Sequence, residues 1–386
     1  MVEQRAYLDW NASAPLRPEA RAAMIAALDQ AGNPSSIHRE GRAARHLVDD
    51  AREKVAALVG AEPSEVIFTS GGTEANVLAL SPGALPAHLL VSAIEHPSVR
   101  SGGRFPAECV EEIPVAADGI VDLAALADLL AARSATGGRV VTSIMLANNE
   151  SGIIQPVAKA AQIVGAAGGI LHLDAIQAAG RIAVDVHTLG ADLLTLSAHK
   201  LGGPKGVGAL VRSGGGRAVV EPAIKGGGQE RGLRAGTENL VGIVGFGAAA
   251  AAAHGALAAE AARMASLRDR FEAGLRRISP DAVVFGADRE RLPNTTLFAV
   301  PGVKAETAVI ALDLDGISVS SGAACSSGKV QASHVLAAMG APTDLARGAI
   351  RVSVGYATTE SEVDFALAAW LKFCNALHKA RHGIAA

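Results

Sequence analysis

Residues 169–212 read GILHLDAIQAAGRIAVDVHTLGADLLTLSAHKLGGPKGVGALVR. Three short apolar runs, GILHLDAI, DLLTLSAHK and GVGALVR, alternate here with small and turn-forming residues, and the first two close on polar side chains. Continuous apolar runs of this length predict strands covered on both faces. Upstream, EVIFTS (65–70), HLLVSAI (88–94) and VVTSIML (140–146) alternate with helix-like patterns, so the texture holds from about residue 60 to 215. Such alternation predicts an α/β fold with a mainly parallel sheet built from βα units. Ligand sites in these sheets gather at the carboxyl ends of the strands. Thr73, His96, Asn149 and Asp174 each follow or end a strand at that edge.

From about Glu260 the texture changes. A long helix gives way to PNTTLFAV (293–300) and ISVSS (317–321) as strands, and the chain closes on a helix through EVDFALAAWLKFCNALHKA (362–380). This predicts a smaller α+β unit over 259–386 after a large unit over 16–258, with segment 1–15 joining them. The 386 residues leave room for two cores, and a composition 49% hydrophobic but only 3% aromatic suits Ala-, Leu- and Val-rich helices packed on a sheet. A formal charge of −3 without any Lys/Arg run argues against direct contact with nucleic acid. The opening MVEQRAYLDW lacks the basic start and apolar core of a signal peptide, and GFGAAAAAAHGALAAEAAR (245–263) reads as a helix because Ala is weakly hydrophobic. The expectation is a cytoplasmic protein without a membrane segment. Cys109, Cys325 and Cys374 are too few and scattered for a disulfide framework or a zinc site, so no metal is expected.

Three stretches carry chemistry. In VIFTSGGTEANVLAL (66–80) a strand turns through Gly71 and Gly72 into a helix with Thr73 and Glu74 in its first turn, where exposed amides suit a phosphate. Glycine in such a turn also has a purely backbone reading. Asp174 ends an apolar strand with Gln177 three residues on; it reads either as a helix N-cap or as a carboxylate meeting a protonated pyridine nitrogen. Lys200 follows the next apolar strand beside His199, where desolvation favours a neutral amine able to form a Schiff base with pyridoxal phosphate. A solvated lysine at a strand terminus is the alternative. Further on, VSSGAACSSGKV (319–330) sets Cys325 in a loop of small residues, suited to carrying a thiol nucleophile.

The order of these motifs, together with YLDWNASAP (7–15), GNPSSIHREG (32–41), IEHPSV (94–99), NNESGIIQPV (148–157), GGGQERGLRAGTEN (226–239) and IRVSVG (350–355), resembles the cysteine desulfurases, pyridoxal-phosphate enzymes of the class V aminotransferase fold. The likeness covers nearly the whole chain, and the short SSGAACSSG loop is similar to the NifS/IscS-like group. The resemblance implies the fold type I architecture, with a seven-stranded sheet. It also implies that Lys200 bonds the cofactor's aldehyde, Asp174 pairs with the ring nitrogen, Gln177 meets the ring hydroxyl, and His96 stacks on the ring and shuttles protons. Gly72, Thr73, Ser197 and His199 would hold the phosphate, with Thr237 reaching it from a second subunit of a homodimer. Arg351 would clamp the carboxylate of L-cysteine, helped by Asn149 and Asn33. Gly72, Ala75 and Ala323 depart from the commonest family wording without removing an atom the chemistry needs.

The implied reaction converts L-cysteine to L-alanine and leaves a persulfide on Cys325, which a sulfur acceptor such as an iron–sulfur scaffold or a sulfur-transfer protein then takes. Other class V chemistry, including selenocysteine cleavage, and a non-catalytic scaffold keeping the fold are the competing readings. Cys109 and Cys374 read as small packed hydrophobes.

Overall fold

The computed structural model describes residues 5–83, 87–135, 137–322 and 333–383, and Cys325 lies outside them. A seven-stranded sheet runs in the order Val66–Thr69, Gly208–Arg212, Leu193–Ser197, Ile170–Asp174, Arg139–Met145, Ala87–Ser92, Val110–Ile113. Only Gly208–Arg212 runs against its neighbours, so the sheet is mainly parallel. The strands Val66–Thr69, Ile170–Asp174 and Leu193–Ser197 are buried at every position, as their unbroken apolar runs require once helices cover both faces.

One strand of this sheet is absent from the apolar runs of the sequence. Val110–Ile113, VEEI, is an edge strand that among the described residues pairs only with Ala87–Ser92. Its two glutamates face arginines: Glu111 bonds Arg133 and Glu112 bonds Arg100. Charges on an edge strand hide it from a hydrophobicity reading while discouraging pairing with other chains.

The smaller unit holds an antiparallel sheet in the order Ser320–Ser321, Ile350–Ser353, Thr295–Ala299, Val283–Val284. Ala6–Tyr7 pairs in parallel with Ile317–Ser318, which draws the chain start into this unit. Leu8, Met264, Phe271, Phe298 and Trp370 share its core, separate from the core around the large sheet. The helix Leu240–Ile278 runs unbroken through position 258, where the sequence suggests a division. Its first half packs Ile243, Phe246 and Ala250 on the large core, and its second half packs Met264, Leu267 and Phe271 on the smaller one. This helix is long and apolar enough to cross a membrane by length and composition, and it lies along the helices Pro18–Ala27 and Arg39–Leu58.

Candidate active site

The carboxyl ends of the large sheet open on a cavity of about 290 Å³. Gly72, Thr73, His96, Asn149, Asp174, Gln177, Ser197, His199, Lys200 and Arg351 line it, so ten positions read from the sequence meet at one place. Nine come from the turns and strand ends of the sheet, and Arg351 comes from a strand of the smaller unit.

The helix Gly72–Ala79 starts at the mouth of this cavity with no side-chain cap on its first amides. The preceding Gly71 has φ 155° and ψ 178°, a conformation that favours glycine. Opposite, a Cβ on Gly208 would lie 2.6 Å from the Gly71 carbonyl carbon, so the strand and the turn approach as closely as they do because Gly208 lacks a side chain. The Glu74 carboxylate turns away from the amides, accepting from the Ser70 N–H at 2.7 Å and from Arg234 Nε at 3.0 Å. An anion is thereby left room at a helix start.

Asp174 is buried, and burial pushes its pKa up, with His96, its hydrogen bonds and Lys200 opposing. Its oxygens accept from Ile176 N at 3.0 Å and from Asn76 Nδ2 at 3.0 Å, both neutral donors. A cation against the cavity side of this carboxylate offsets the cost of burying it, and a protonated ring nitrogen has that chemistry. Lys200 Nζ donates to the carbonyls of Asn11 at 2.7 Å and Ala12 at 2.8 Å, so the chain start fixes the amine at the cavity.

His96 caps the short helix Pro97–Arg100; its Nδ1 accepts from Ser98 N at 3.1 Å and lies 2.8 Å from Ser98 Oγ. Burial lowers its pKa, Asp174 opposes that and Lys200 adds to it. The ring is therefore neutral at ordinary pH. His199, its Nδ1 3.3 Å from Ser13 Oγ, is pushed down to about 4 by burial and by neighbouring cations, Lys200 first. Gln177 Nε2 donates to the Asn11 carbonyl at 3.0 Å while Arg181 Nη1 donates to Gln177 Oε1, which fixes the amide's direction.

Arg351 is only 2% exposed. Its Nη2 donates to Asp9 Oδ1 at 2.8 Å and its Nη1 to the Asn149 carbonyl at 2.9 Å. The ion pair is thus real and the residue still lines the cavity. Arg351 Nε and Asn149 Oδ1 are buried with no hydrogen-bond partner among the described residues. Such orphans are expensive unless a ligand meets them. A carboxylate fits the guanidinium edge that carries Nε.

Two positions read as site residues do not line this cavity. Asn33 is exposed, and its Oδ1 accepts from Ser35 N at 2.8 Å. Thr237 is exposed on the loop after the buried Arg52–Glu230 ion pair. Cys325 lies outside the described residues, and Ser333, the first described residue beyond it, donates to Glu150 Oε2 at 2.5 Å. Cys109 and Cys374 are half-buried free thiols packed against apolar clusters.

Several residues that build the site drew no attention in the sequence: Asn11, Asn76, Ser98 and Arg181. Asn76 stands one helical turn after Gly72, so helical spacing alone puts it on the same face. Arg181 follows Gln177 by four through a turn rather than a helix, and burial pulls its pKa down to about 9.

The family model for Aminotransferase class-V matches residues 6–365. A cysteine desulfurase of Cereibacter sphaeroides is 44% identical over 373 residues, covering 94% of this chain and 93% of the relative. The cysteine desulfurase IscS of Dictyoglomus turgidum is 41% identical, with 95% and 93% covered. Among solved structures, a NifS-like protein from Rickettsia africae superposes with a TM-score of 0.88 at 33% identity, over 96% of this chain and all of that one.

Proposed function

Since the chain belongs to the aminotransferase class-V family and, within it, to the cysteine desulfurases, we propose how its own residues share that activity. The protein is a pyridoxal-phosphate-dependent enzyme that removes sulfur from L-cysteine, forming L-alanine, and passes the sulfur to acceptors. When bound, the cofactor supplies an electron sink that makes the substrate's Cα proton acidic and its carbon–sulfur bond labile. Lys200 would hold its aldehyde carbon, Asp174 its ring nitrogen and Gln177 its ring hydroxyl. Gly72, Thr73, Ser197 and His199 would hold its phosphate.

The remaining steps fall to side chains. Arg351, through Nε and a remaining Nη proton, takes the substrate carboxylate, and Asn149 Oδ1 accepts from the substrate's nitrogen. Lys200 Nζ takes the Cα proton, and neutral His96 is the second group able to hold or return one. The Cys325 thiolate attacks the substrate sulfur. A sulfur–sulfur bond forms as the carbon–sulfur bond breaks, the electron pair returns to carbon, and protons from these groups complete alanine. Cys325 is left as a persulfide, and the balance is cysteine plus thiol giving alanine plus persulfide.

The observation that carries this reading is the meeting of a buried carboxylate, a lysine amine and an uncapped helix start around one cavity whose far wall carries an arginine. Purified protein with pyridoxal phosphate, L-cysteine and a reductant is expected to form alanine in step with sulfide. Alanine formation undiminished in a Lys200→Ala variant would overturn the residue assignment.

The homodimer belongs to the same proposal. Thr237 projects from a loop in which Glu230 and Arg231 take φ of 46° and 57°, held there by Glu230's two bonds to Arg52. Strain held by a buried ion pair supports a loop shaped to serve a second copy. A Thr237→Ala dimer that binds cofactor as tightly as the parent, or a monomer in sedimentation, would contradict it. An iron–sulfur scaffold or sulfur-transfer protein is the proposed acceptor. A reducing cytoplasm is the proposed location, in keeping with the free thiols of Cys109 and Cys374.

A further inference from the structure

Beneath the cavity the large sheet buries polar side chains where a strand core calls for apolar ones. Ser143, His172 and Thr195 are each 0% exposed and sit on three adjacent strands, with Ser143 and His172 in direct register. Asn76, also 0% exposed, reaches them from the helix Gly72–Ala79. Their contacts form one chain. Ser143 Oγ is 2.8 Å from His172 Nδ1, and His172 Nε2 is 3.2 Å from Thr195 Oγ1. Thr195 Oγ1 donates to Asn76 Oδ1 at 2.6 Å. Asn76 Nδ2 then donates twice, to Asp174 Oδ2 at 3.0 Å and to Ser98 Oγ at 2.9 Å. Ser98 Oγ lies 2.8 Å from His96 Nδ1.

The directions in this chain follow from donor inventories. A carboxylate only accepts, so the Asn76 NH₂ must face Asp174 and its carbonyl must face Thr195. Thr195 spends its proton on Asn76 and therefore accepts from His172, whose proton is on Nε2. His172 Nδ1 then accepts from Ser143. Burial pushes the His172 pKa down to about 3, in keeping with a ring that holds one proton only. At the other end Ser98 Oγ accepts from Asn76 and has its own proton to give. His96 Nδ1 already accepts from the Ser98 N–H, so it is an acceptor for the hydroxyl as well. Every donation runs toward the cavity.

We propose that Asn76 is the branch point of a buried one-way hydrogen-bond relay, from Ser143 through His172 and Thr195, that orients the Asp174 carboxylate and fixes His96 with its proton on Nε2. The relay deepens the functional reading above and rests on its roles for Asp174 and His96. Asn76, Thr195 and His172 are positioning residues, since none of them lines the cavity. In its resting state His96 offers a proton from Nε2 rather than a lone pair, so the group poised to accept the Cα proton is Lys200.

The test has two arms. In the protein loaded with pyridoxal phosphate and carrying ¹⁵N-labelled histidine, the His96 signals, identified by their loss in His96→Gln, should report an unprotonated Nδ1 and a protonated Nε2. The opposite tautomer overturns the relay. Asn76→Ala should weaken cofactor binding roughly tenfold, the scale of one hydrogen bond to a charged group, and shift the pH midpoint of the bound cofactor's visible absorbance. Thr195→Val should move both in the same direction by less, and it stands in if Asn76→Ala does not fold. Unchanged absorbance midpoints with an unchanged His96 tautomer contradict the proposal. Asp174→Asn separates the two levels: if it leaves cofactor binding intact, the reading of Asp174 fails, while the His96 tautomer still tests the relay.

Discussion

Two regions of the molecule, the apolar core of the smaller unit and the edge of the large sheet beneath the cavity, are built from different materials. In the smaller unit Phe298 meets Trp370 edge-on at 5.3 Å and Phe271 at 5.9 Å, and aliphatic residues such as Leu8, Ile350 and Val352 fill the space around them. Under the cavity, the large sheet with the helix and turn at its edge instead buries Ser143, His172, Thr195, Asn76, Asp174 and Glu95. Apolar packing is tolerant of shape-conserving change and strong in sum. A buried polar network fixes directions but punishes any lost partner. The contrast teaches that the smaller unit contributes stability and a rigid mount for Arg351, whereas the sheet edge spends stability on orientation.

Substitutions on the two sides should therefore fail in different ways. Lys200→Ala should lower turnover by roughly three orders of magnitude or more with only a small fall in melting temperature from its lost bonds to the Asn11 and Ala12 carbonyls, read from alanine production and calorimetry. If melting fell as far as activity, the division of labour would be wrong. Phe298→Ala should do the reverse, costing about 3–5 kcal/mol of stability while folded protein at low temperature keeps its turnover per bound cofactor. Arg351→Lys sits on the border, because its strand belongs to the smaller unit and its guanidinium to the cavity. Loss of the planar fork should raise KM for L-cysteine roughly 10- to 100-fold, with a smaller change in kcat.

The smallest expected effect is a slope. Glu150 lies between Ser333 and the Arg351 region, and burial raises its pKa to about 7, the Ser333 bond and Arg351 opposing. An acid whose folded pKa lies above its unfolded value stabilises the fold relatively at low pH. The folded state binds the extra proton between roughly pH 4.5 and 7, so this group's contribution falls as pH rises through that window, by up to about 1.4 kcal/mol per unit. Glu150→Gln should flatten the pH dependence of the urea midpoint there, and an unchanged slope would remove Glu150 from the polar account.

The same contrast explains what was legible in the sequence. Six strands of the large sheet announce themselves as apolar runs, and Asp174, His96 and Lys200 stand out because polar residues at the ends of such runs are conspicuous. Val110–Ile113 does not, since its glutamates pair with Arg133 and Arg100 at the sheet margin. Asn76 and Arg181 are ordinary residues on helical or turn segments, and part of their importance lies in contacts with distant residues, Asp174 for Asn76 and the Trp10 carbonyl for Arg181. Spacing cannot encode such contacts. Asn33 and Thr237 belong to the quoted motifs, yet neither lines this chain's cavity.

The account stands or falls on where the sulfur goes. After a single turnover with L-cysteine, without reductant, peptide mass spectrometry should find one added sulfur atom on the peptide containing Cys325 and none on those containing Cys109 or Cys374, with one alanine formed per sulfur. Alanine formed at the parent rate by Cys325→Ala, or sulfur carried on either of the other two cysteines, would contradict it.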